Sequence, residues 1–245
     1  MGMTRREAIG VLGASSSAVL LLKGGLTMAD DPRIAPKTGL PAGPHIMKPL
    51  PVEAKKLRGL SERLITSHWE NNYGGAVKNL NKVEEELARV TKETPGFLVG
   101  GLRERELTFT NSVILHELYF GNLGGDGKPG GAVQAALSEA FGGVGRWEEL
   151  FRATGASLAG GSGWTVLDWN LHTGGPRVYW SGNHTQALAF GAPLLVMDMY
   201  EHAYQMDYGA AAGKYIDAFF QNIDWQEVNR RFVQASKLGV LFKAP

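Results

Sequence analysis

Cysteine is absent from this chain of 245 residues. Its absence excludes disulfide scaffolds, zinc–thiolate sites, iron–sulfur clusters and thiol nucleophiles, so any metal must be bound by nitrogen and oxygen ligands. Net charge is also nearly absent, because 25 Lys and Arg residues are balanced by 24 Asp and Glu residues. We therefore expect no nucleic-acid partner. The composition, 44% hydrophobic and 20% charged, is that of a globular protein long enough to bury a core.

The first 29 residues have the pattern of an export signal peptide. A basic start with Arg5 and Arg6 precedes an apolar run over residues 8–22, and small residues ending at Ala29 follow. Paired arginines are typical of the twin-arginine route. The apolar run is shorter than the ~20 residues that a membrane-spanning helix needs, although an uncleaved anchor is the alternative. We expect a periplasmic or extracellular protein whose mature form does not enter a membrane.

Proline and helical periodicity divide the rest of the chain. Six prolines between residues 30 and 55 predict an extended lead-in. From a predicted N-cap at Ser61, apolar residues recur at helical spacing in two long stretches, which predicts an antiparallel helical hairpin over residues 56–122.

The remainder, residues 123–245, mixes helical and strand patterns. Helices are predicted around residues 132–141, 147–158, 215–220 and 225–234. A strand hairpin over residues 164–180 and a wholly apolar run at 194–197 predict three short strands. The fold class is therefore α+β, a helical hairpin followed by an α/β domain with a small three-stranded antiparallel sheet.

Two histidines are the first candidates for functional residues. His68 and His116 lie on the apolar faces of the two long helical stretches. A single buried histidine is more often a hydrogen-bonded core residue than a ligand, but two on facing helices shift that balance. Asp198 and His202 are four residues apart, so one helical turn can bring them together. Asp198 could equally be an N-cap that forms a capping box with Glu201, and spacing alone leaves both interpretations open.

Several motifs in consistent order resemble those of the iron/manganese superoxide dismutases. The segment from Asp198 to Tyr204 is similar to the family's D-x-W-E-H-A-Y signature, with Tyr200 in place of its Trp. The further matching segments are G-S-G-W at 161–164, D-W at 224–225, H-E-L-Y-F-G-N-L at 116–123, and His68 with V-K-N-L-N at 77–81. The resemblance covers about Ser61 to Phe232.

The resemblance implies a site and an activity. It assigns one iron or manganese ion per subunit to four ligands, namely His68, His116, Asp198 and His202. At such a centre one superoxide is oxidised to dioxygen and another is reduced to hydrogen peroxide. It also implies a homodimer, in which Glu201 contacts the partner's ligand His202 and Tyr204 contacts the partner's His68. Trp164 would form a wall of the metal pocket, and Trp69 is a weaker candidate for that role.

Departures from the family pattern lie around the expected centre. The family's gateway Tyr is replaced by Ala76 and its second conserved His by Asn72. Tyr73 lies one turn from Ala76, so we hypothesise that its phenol fills the gateway position. The two positions expected for the outer-sphere Gln hold Ser112 and Gly160. Ala212 replaces an Arg of the active-site rim.

These departures leave a second function open, a metal-binding or structural relative with little or no turnover. A zinc hydrolase is a weaker third hypothesis, because no helix carries His-Glu-x-x-His spacing. The other three histidines, His45, His172 and His184, are interpreted as solvated surface residues.

Overall fold

The computed structural model describes residues 44–186, 189 and 191–238. The predicted export signal, the first part of the proline-rich lead-in and the last seven residues lie outside the described residues. Among the helices that the structure describes, none is both long enough and apolar enough to cross a lipid bilayer.

The first half of the described chain is helical. Its elements are a 3₁₀ turn (Ala54–Lys56), α1 (Glu62–Ser67), a π-helical turn (His68–Tyr73), α2 (Gly74–Leu87) and α3 (Gly96–Gly121). The N-cap predicted at Ser61 is confirmed, since its side chain accepts a hydrogen bond from the Leu64 N–H at 3.0 Å. The backbone stays in the right-handed helical region through both junctions, at His68 and Gly74. One continuous helical run therefore packs against α3, as the predicted hairpin requires.

A three-stranded antiparallel sheet forms the centre of the second half. Its strands are β1 (Trp164–Asn170), β2 (Gly175–Ser181) and β3 (Gly191–Asp198), in the order β2-β1-β3. The predicted apolar third strand is confirmed, and four of its residues, 194–197, are fully buried. The register places Trp164 opposite Asp198 at one edge of the sheet. Two candidate site residues are thereby adjacent.

Helices cover the sheet. They are α4 (Gly131–Phe141), α5 (Val144–Ala156), α6 (Gln205–Tyr208), α7 (Ala212–Gln221) and α8 (Trp225–Ser236), with a 3₁₀ turn at Glu201–Ala203. A buried aromatic cluster joins α5, α7 and α8, where the Trp147 ring lies 5.3 Å from Trp225 and 6.0 Å from Phe220. The α+β class expected from the sequence is confirmed.

Asn122 connects the helical half to the sheet. Its fully buried amide follows α3, accepts from the Val196 N–H at 2.9 Å and donates to the Tyr119 carbonyl at 2.9 Å. These hydrogen bonds fix the end of α3 against β3. They therefore set the distance between His116 on α3 and Asp198 at the end of β3.

Candidate metal centre

His68 begins the π-helical turn of the first helical run. Turns of this kind are uncommon and occur frequently at functional sites. The imidazole is buried, and its Nε2 lies 3.1 Å from Oδ2 of Asp198. Its ring centroid is 5.1 Å from that of His116 and 4.7 Å from that of His202. The turn thus directs this side chain toward the other three candidate ligands.

His116 reaches the same point from α3. Its Nδ1 donates to the carbonyl oxygen of Ser112, one turn earlier, at 2.7 Å. Because the ring proton is on Nδ1, Nε2 carries a lone pair. This Nε2 is buried and has no hydrogen-bond partner in the described part of the chain. An unpartnered buried acceptor costs free energy, and a metal ion is a partner that suits an imidazole oriented in this way.

Asp198 lies at the centre of the cluster and is fully buried. Its Oδ1 accepts from the Tyr200 N–H at 2.8 Å, so this oxygen caps the turn that follows β3. Its Oδ2 lies 3.2 Å from Nε2 of His202 and 3.7 Å from Nε2 of His116. The cap and the histidine cluster therefore use different oxygens of one carboxylate. The capping box of Asp198 with Glu201 was wrong, because the turn Glu201–Ala203 has Tyr200 as its N-cap residue.

Burial and proximity set the protonation of these groups. Burial lowers the pKa of His116 to about 3 and also lowers the pKa of His68. Burial acts to raise the pKa of Asp198, but the imidazoles of His202 and His68 hold that pKa well below its usual range. The centre consequently combines the neutral imidazoles of His68 and His116 with an ionised carboxylate. Metal ions require ligands in these states.

The cluster fits one metal ion. Each side chain offers one ligand atom within 4.8 Å of the ligand atoms of the other three, and the set is His68, His116, Asp198 and His202. Three imidazole nitrogens and one carboxylate oxygen suit iron or manganese. The structure thus brings together all four residues that the sequence assigned to the metal.

A cavity of about 230 Å³, which we call the mouth, leads to His116 and His202. It is lined by Asn71, Asn72, Gly75, Ala76, Asn79, Phe109, Ser112, His116, His184 and His202. Ala76 and Asn72, two departures from the family pattern, therefore face the approach to the centre. Amide side chains make this approach polar and uncharged.

His184 is a residue of the mouth, so its interpretation as a solvated surface residue was wrong. Its Nδ1 accepts from Nε1 of Trp164 at 3.0 Å, and its ring stacks on Tyr200 at 4.8 Å. Because Nδ1 is an acceptor and burial lowers the pKa of His184, the ring proton is on Nε2. This residue follows β2 in a turn where Oδ1 of Asn183 accepts from the Thr185 N–H at 2.8 Å. That Asx turn was the available sequence signal.

Trp164 lies where the resemblance placed it. The indole is fully buried, and its ring packs edge-on against His116 with the centroids 5.1 Å apart. It therefore forms an apolar wall beside one candidate ligand and orients His184 at the mouth.

Tyr73 does not fill the gateway position, so that hypothesis was wrong. Its hydroxyl donates to Glu117 Oε1 at 3.0 Å and accepts from the Lys48 N–H at 2.9 Å. Asn72 and Ala76, four residues apart, lie on the helix face that lines the mouth. Tyr73 lies about 100° around the helix from Asn72, so it is on a different face. Trp69 also lies away from the mouth, with its Nε1 donating to the Lys48 carbonyl at 3.2 Å.

Tyr204 is packed against residues of its own chain. The ring is 2% exposed, stacks on Tyr215 at 5.4 Å, and its hydroxyl accepts from the Gly160 N–H at 3.4 Å. These contacts lie within one protomer, and the expected contact of Tyr204 with His68 of a partner stays a prediction. Glu201, by contrast, is exposed.

The other positions that the sequence singled out differ in their distance from the centre and in their exposure. Ser112 is buried beside the centre, with its Oγ 3.3 Å from His116 Nδ1, whereas Gly160 is exposed. Ala212 is buried at the start of α7. His172 is exposed, as expected, but His45 is only partly exposed and bonds Glu84 at 2.9 Å.

Comparisons with known proteins agree with this geometry. The family profile described as "Iron/manganese superoxide dismutases, C-terminal domain" matches residues 129–231. A superoxide dismutase (Fe) from Cupriavidus metallidurans is 51% identical over 190 residues, which cover 77% of this chain and 96% of that protein. A superoxide dismutase (Fe) from Aquifex pyrophilus is 35% identical over 205 residues, covering 80% and 95%. A superoxide dismutase (Mn) 1 from Halobacterium salinarum is 34% identical over 197 residues, covering 78% and 96%.

These similarities extend over nearly the whole length of the relatives, and the matched profile includes β1, β3, Asp198 and His202. The chain belongs to the iron/manganese superoxide dismutase family.

Proposed function

We propose that this protein converts superoxide into dioxygen and hydrogen peroxide at one iron or manganese ion per subunit. The observation that carries the proposal is the convergence of Nε2 of His68, His116 and His202 on Oδ2 of Asp198 in a buried site. The bound ion would supply a one-electron acceptor and donor by alternating between its trivalent and divalent states. The relatives named for iron and those named for manganese support either metal.

The chain's own residues prepare the centre. Asp198 contributes one negative charge that partly offsets the charge of the ion. The Ser112 carbonyl orients His116, and second-sphere hydrogen bonds of this kind maintain ligand geometry. Trp164 excludes water from one side. His184, with its proton on Nε2, lines the mouth at a position from which it can donate a hydrogen bond to a small anion.

Metal analysis combined with superoxide consumption tests the proposal. The protein should bind close to one iron or manganese per chain and consume superoxide in proportion to that content. His116→Gln should lose both properties, and His172→Gln, the control at an exposed histidine, should keep both. One metal per chain without turnover would instead favour a metal-binding relative, and bound zinc with ester hydrolysis would favour a hydrolase.

The same proposal includes a homodimer joined near the centre. Glu201 is exposed beside His202, whose side chain is partly exposed, and the resemblance supports a contact between these residues across a two-fold axis. Glu201→Lys should reduce the dimer fraction in sedimentation velocity. An unchanged dimer fraction would show that the subunits meet elsewhere or not at all.

Export by the twin-arginine route is also proposed, on the pattern of residues 1–29. Changing Arg5 and Arg6 to Lys together should leave the protein inside the producing cell. Unchanged export would contradict this route.

A further inference from the structure

Lys48 joins the lead-in to the helical turn that carries His68. Its carbonyl accepts from Trp69 Nε1 at 3.2 Å, and its N–H donates to the Tyr73 hydroxyl at 2.9 Å. Both aromatic residues belong to the π-helical turn that begins with His68. The backbone of one lead-in residue thus holds two side chains of the ligand-bearing turn.

The second helix is tied to the same point through Glu117. The Tyr73 hydroxyl donates to Oε1 of Glu117 at 3.0 Å, and Nζ of Lys48 approaches Oε2 of the same carboxylate. Glu117 directly follows the candidate ligand His116. A closed set of hydrogen bonds therefore links the lead-in, the turn of His68 and the helix of His116.

Tyr73 is suited to be the permanent donor in this set. Its side chain is buried, being 1% exposed, and burial raises the pKa of Tyr73 to about 12. The phenol therefore keeps its proton at any physiological pH. The centroid of its ring lies 6.4 Å from that of the His116 ring. In a close-packed interior, a shift of the phenol would therefore change the position of that imidazole.

We propose that Lys48, Tyr73 and Glu117 form a positioning clamp that fixes the directions in which His68 and His116 face the metal. The clamp touches neither metal nor substrate and acts through the two helices. This inference rests on the proposed metal centre. It gives a role to Tyr73 other than the gateway role that the spacing had suggested, and it makes the lead-in part of the functional unit.

Tyr73→Phe in the full-length, metal-loaded protein tests the clamp, because it removes one hydroxyl and keeps the ring. We expect metal release to chelator to be about fivefold faster, the factor that corresponds to a hydrogen bond of about 1 kcal/mol. We also expect a changed electron paramagnetic resonance spectrum of the iron(III) form, because the ligand angles change.

Two further variants separate positioning from general stability. Asp224→Ala removes the N-cap of α8, which carries no candidate ligand and has its cap bonds to Gln226 and Glu227. It should lower the free energy of unfolding about as much as Tyr73→Phe and leave metal release and the spectrum unchanged. Glu117→Gln keeps an acceptor for Tyr73, so its spectrum should stay closer to wild type than that of Tyr73→Phe.

The outcomes distinguish the clamp from the proposed function. Wild-type release kinetics and spectrum in Tyr73→Phe would overturn the clamp, whatever the turnover. Failure of the wild-type protein to consume superoxide while it binds metal would refute the proposed activity, and the release and spectral measurements would still decide the clamp.

Discussion

Trp164→Phe should disorient His184 while leaving the wall of the metal pocket in place. The indole Nε1 is the donor to His184 Nδ1 at 3.0 Å. A phenyl ring still packs against His116 but has no donor. The imidazole then loses the contact that selects its tautomer and fixes its orientation at the mouth.

The magnitude follows from one neutral hydrogen bond at a partly buried site. Such a bond contributes about 0.5–1.5 kcal/mol net, so we expect a coupling free energy of about 1 kcal/mol between Trp164 and His184. If the orientation of His184 is used in turnover, a loss of that size slows turnover about fivefold, because 1.36 kcal/mol corresponds to a factor of ten.

A double-mutant cycle measures the coupling directly. The wild type, Trp164→Phe, His184→Ala and the double variant are compared by urea unfolding without metal and by superoxide turnover with metal. His184→Ala should change little once the indole donor is gone. Effects that add within about 0.3 kcal/mol in both assays would refute the coupling, and would show that the hydrogen bond has no functional consequence.

Three further predictions concern stability. Asp168 is 5% exposed on β1, and burial raises its carboxyl pKa to about 7. Because the folded form binds the proton more tightly, raising the pH from 4 to 7 should destabilise the wild type by about 3 kcal/mol relative to Asp168→Asn in urea unfolding. Parallel pH profiles would contradict this. Arg231 is buried and donates to main-chain carbonyls of α3 and β3, so Arg231→Met should lower the free energy of unfolding by about 2–3 kcal/mol. Arg230 lies on the exposed face of α8, and Arg230→Met should lower it by under about 1 kcal/mol. Equal losses would contradict the role of those carbonyl contacts. A Cβ at Gly125 would lie 2.3 Å from a backbone oxygen, whereas one at Gly130 meets no atom within 4 Å, so thermal unfolding should show Gly125→Ala well below wild type and Gly130→Ala close to it; similar midpoints would contradict the close approach.

The sequence was sufficient for the fold because local signals agreed with one another. The N-cap at Ser61 and the apolar run at 194–197 lie where the structure begins a helix and buries a strand. The observed bounds of some elements differ from the predicted ones, because main-chain pairing and glycine residues determine where a strand begins and ends. β2, for example, extends over Gly175–Ser181, because it pairs with every residue of β1.

The four candidate ligands were also recoverable from the sequence, since helical spacing and the family motifs pointed to the same positions. Their environment was not. His184 lies in a connection without periodicity, and its approach to Trp164 depends on the pairing of β1 with β2, which places Ser181 opposite Trp164. Tyr73 was misplaced because spacing gives the face of a helix but does not reveal which acceptor a buried hydroxyl finds. That acceptor, Glu117, is 44 residues away along the chain.

The central claim is most directly tested by pulse radiolysis of samples with graded metal content. The first-order decay of superoxide, measured with protein in catalytic amounts, should rise in proportion to bound iron or manganese and extrapolate to the uncatalysed rate at zero metal. Asp198→Ala, prepared in the same way, should stay at that baseline. Decay that does not change with metal content in the wild type, while one ion per chain is bound, would contradict the account.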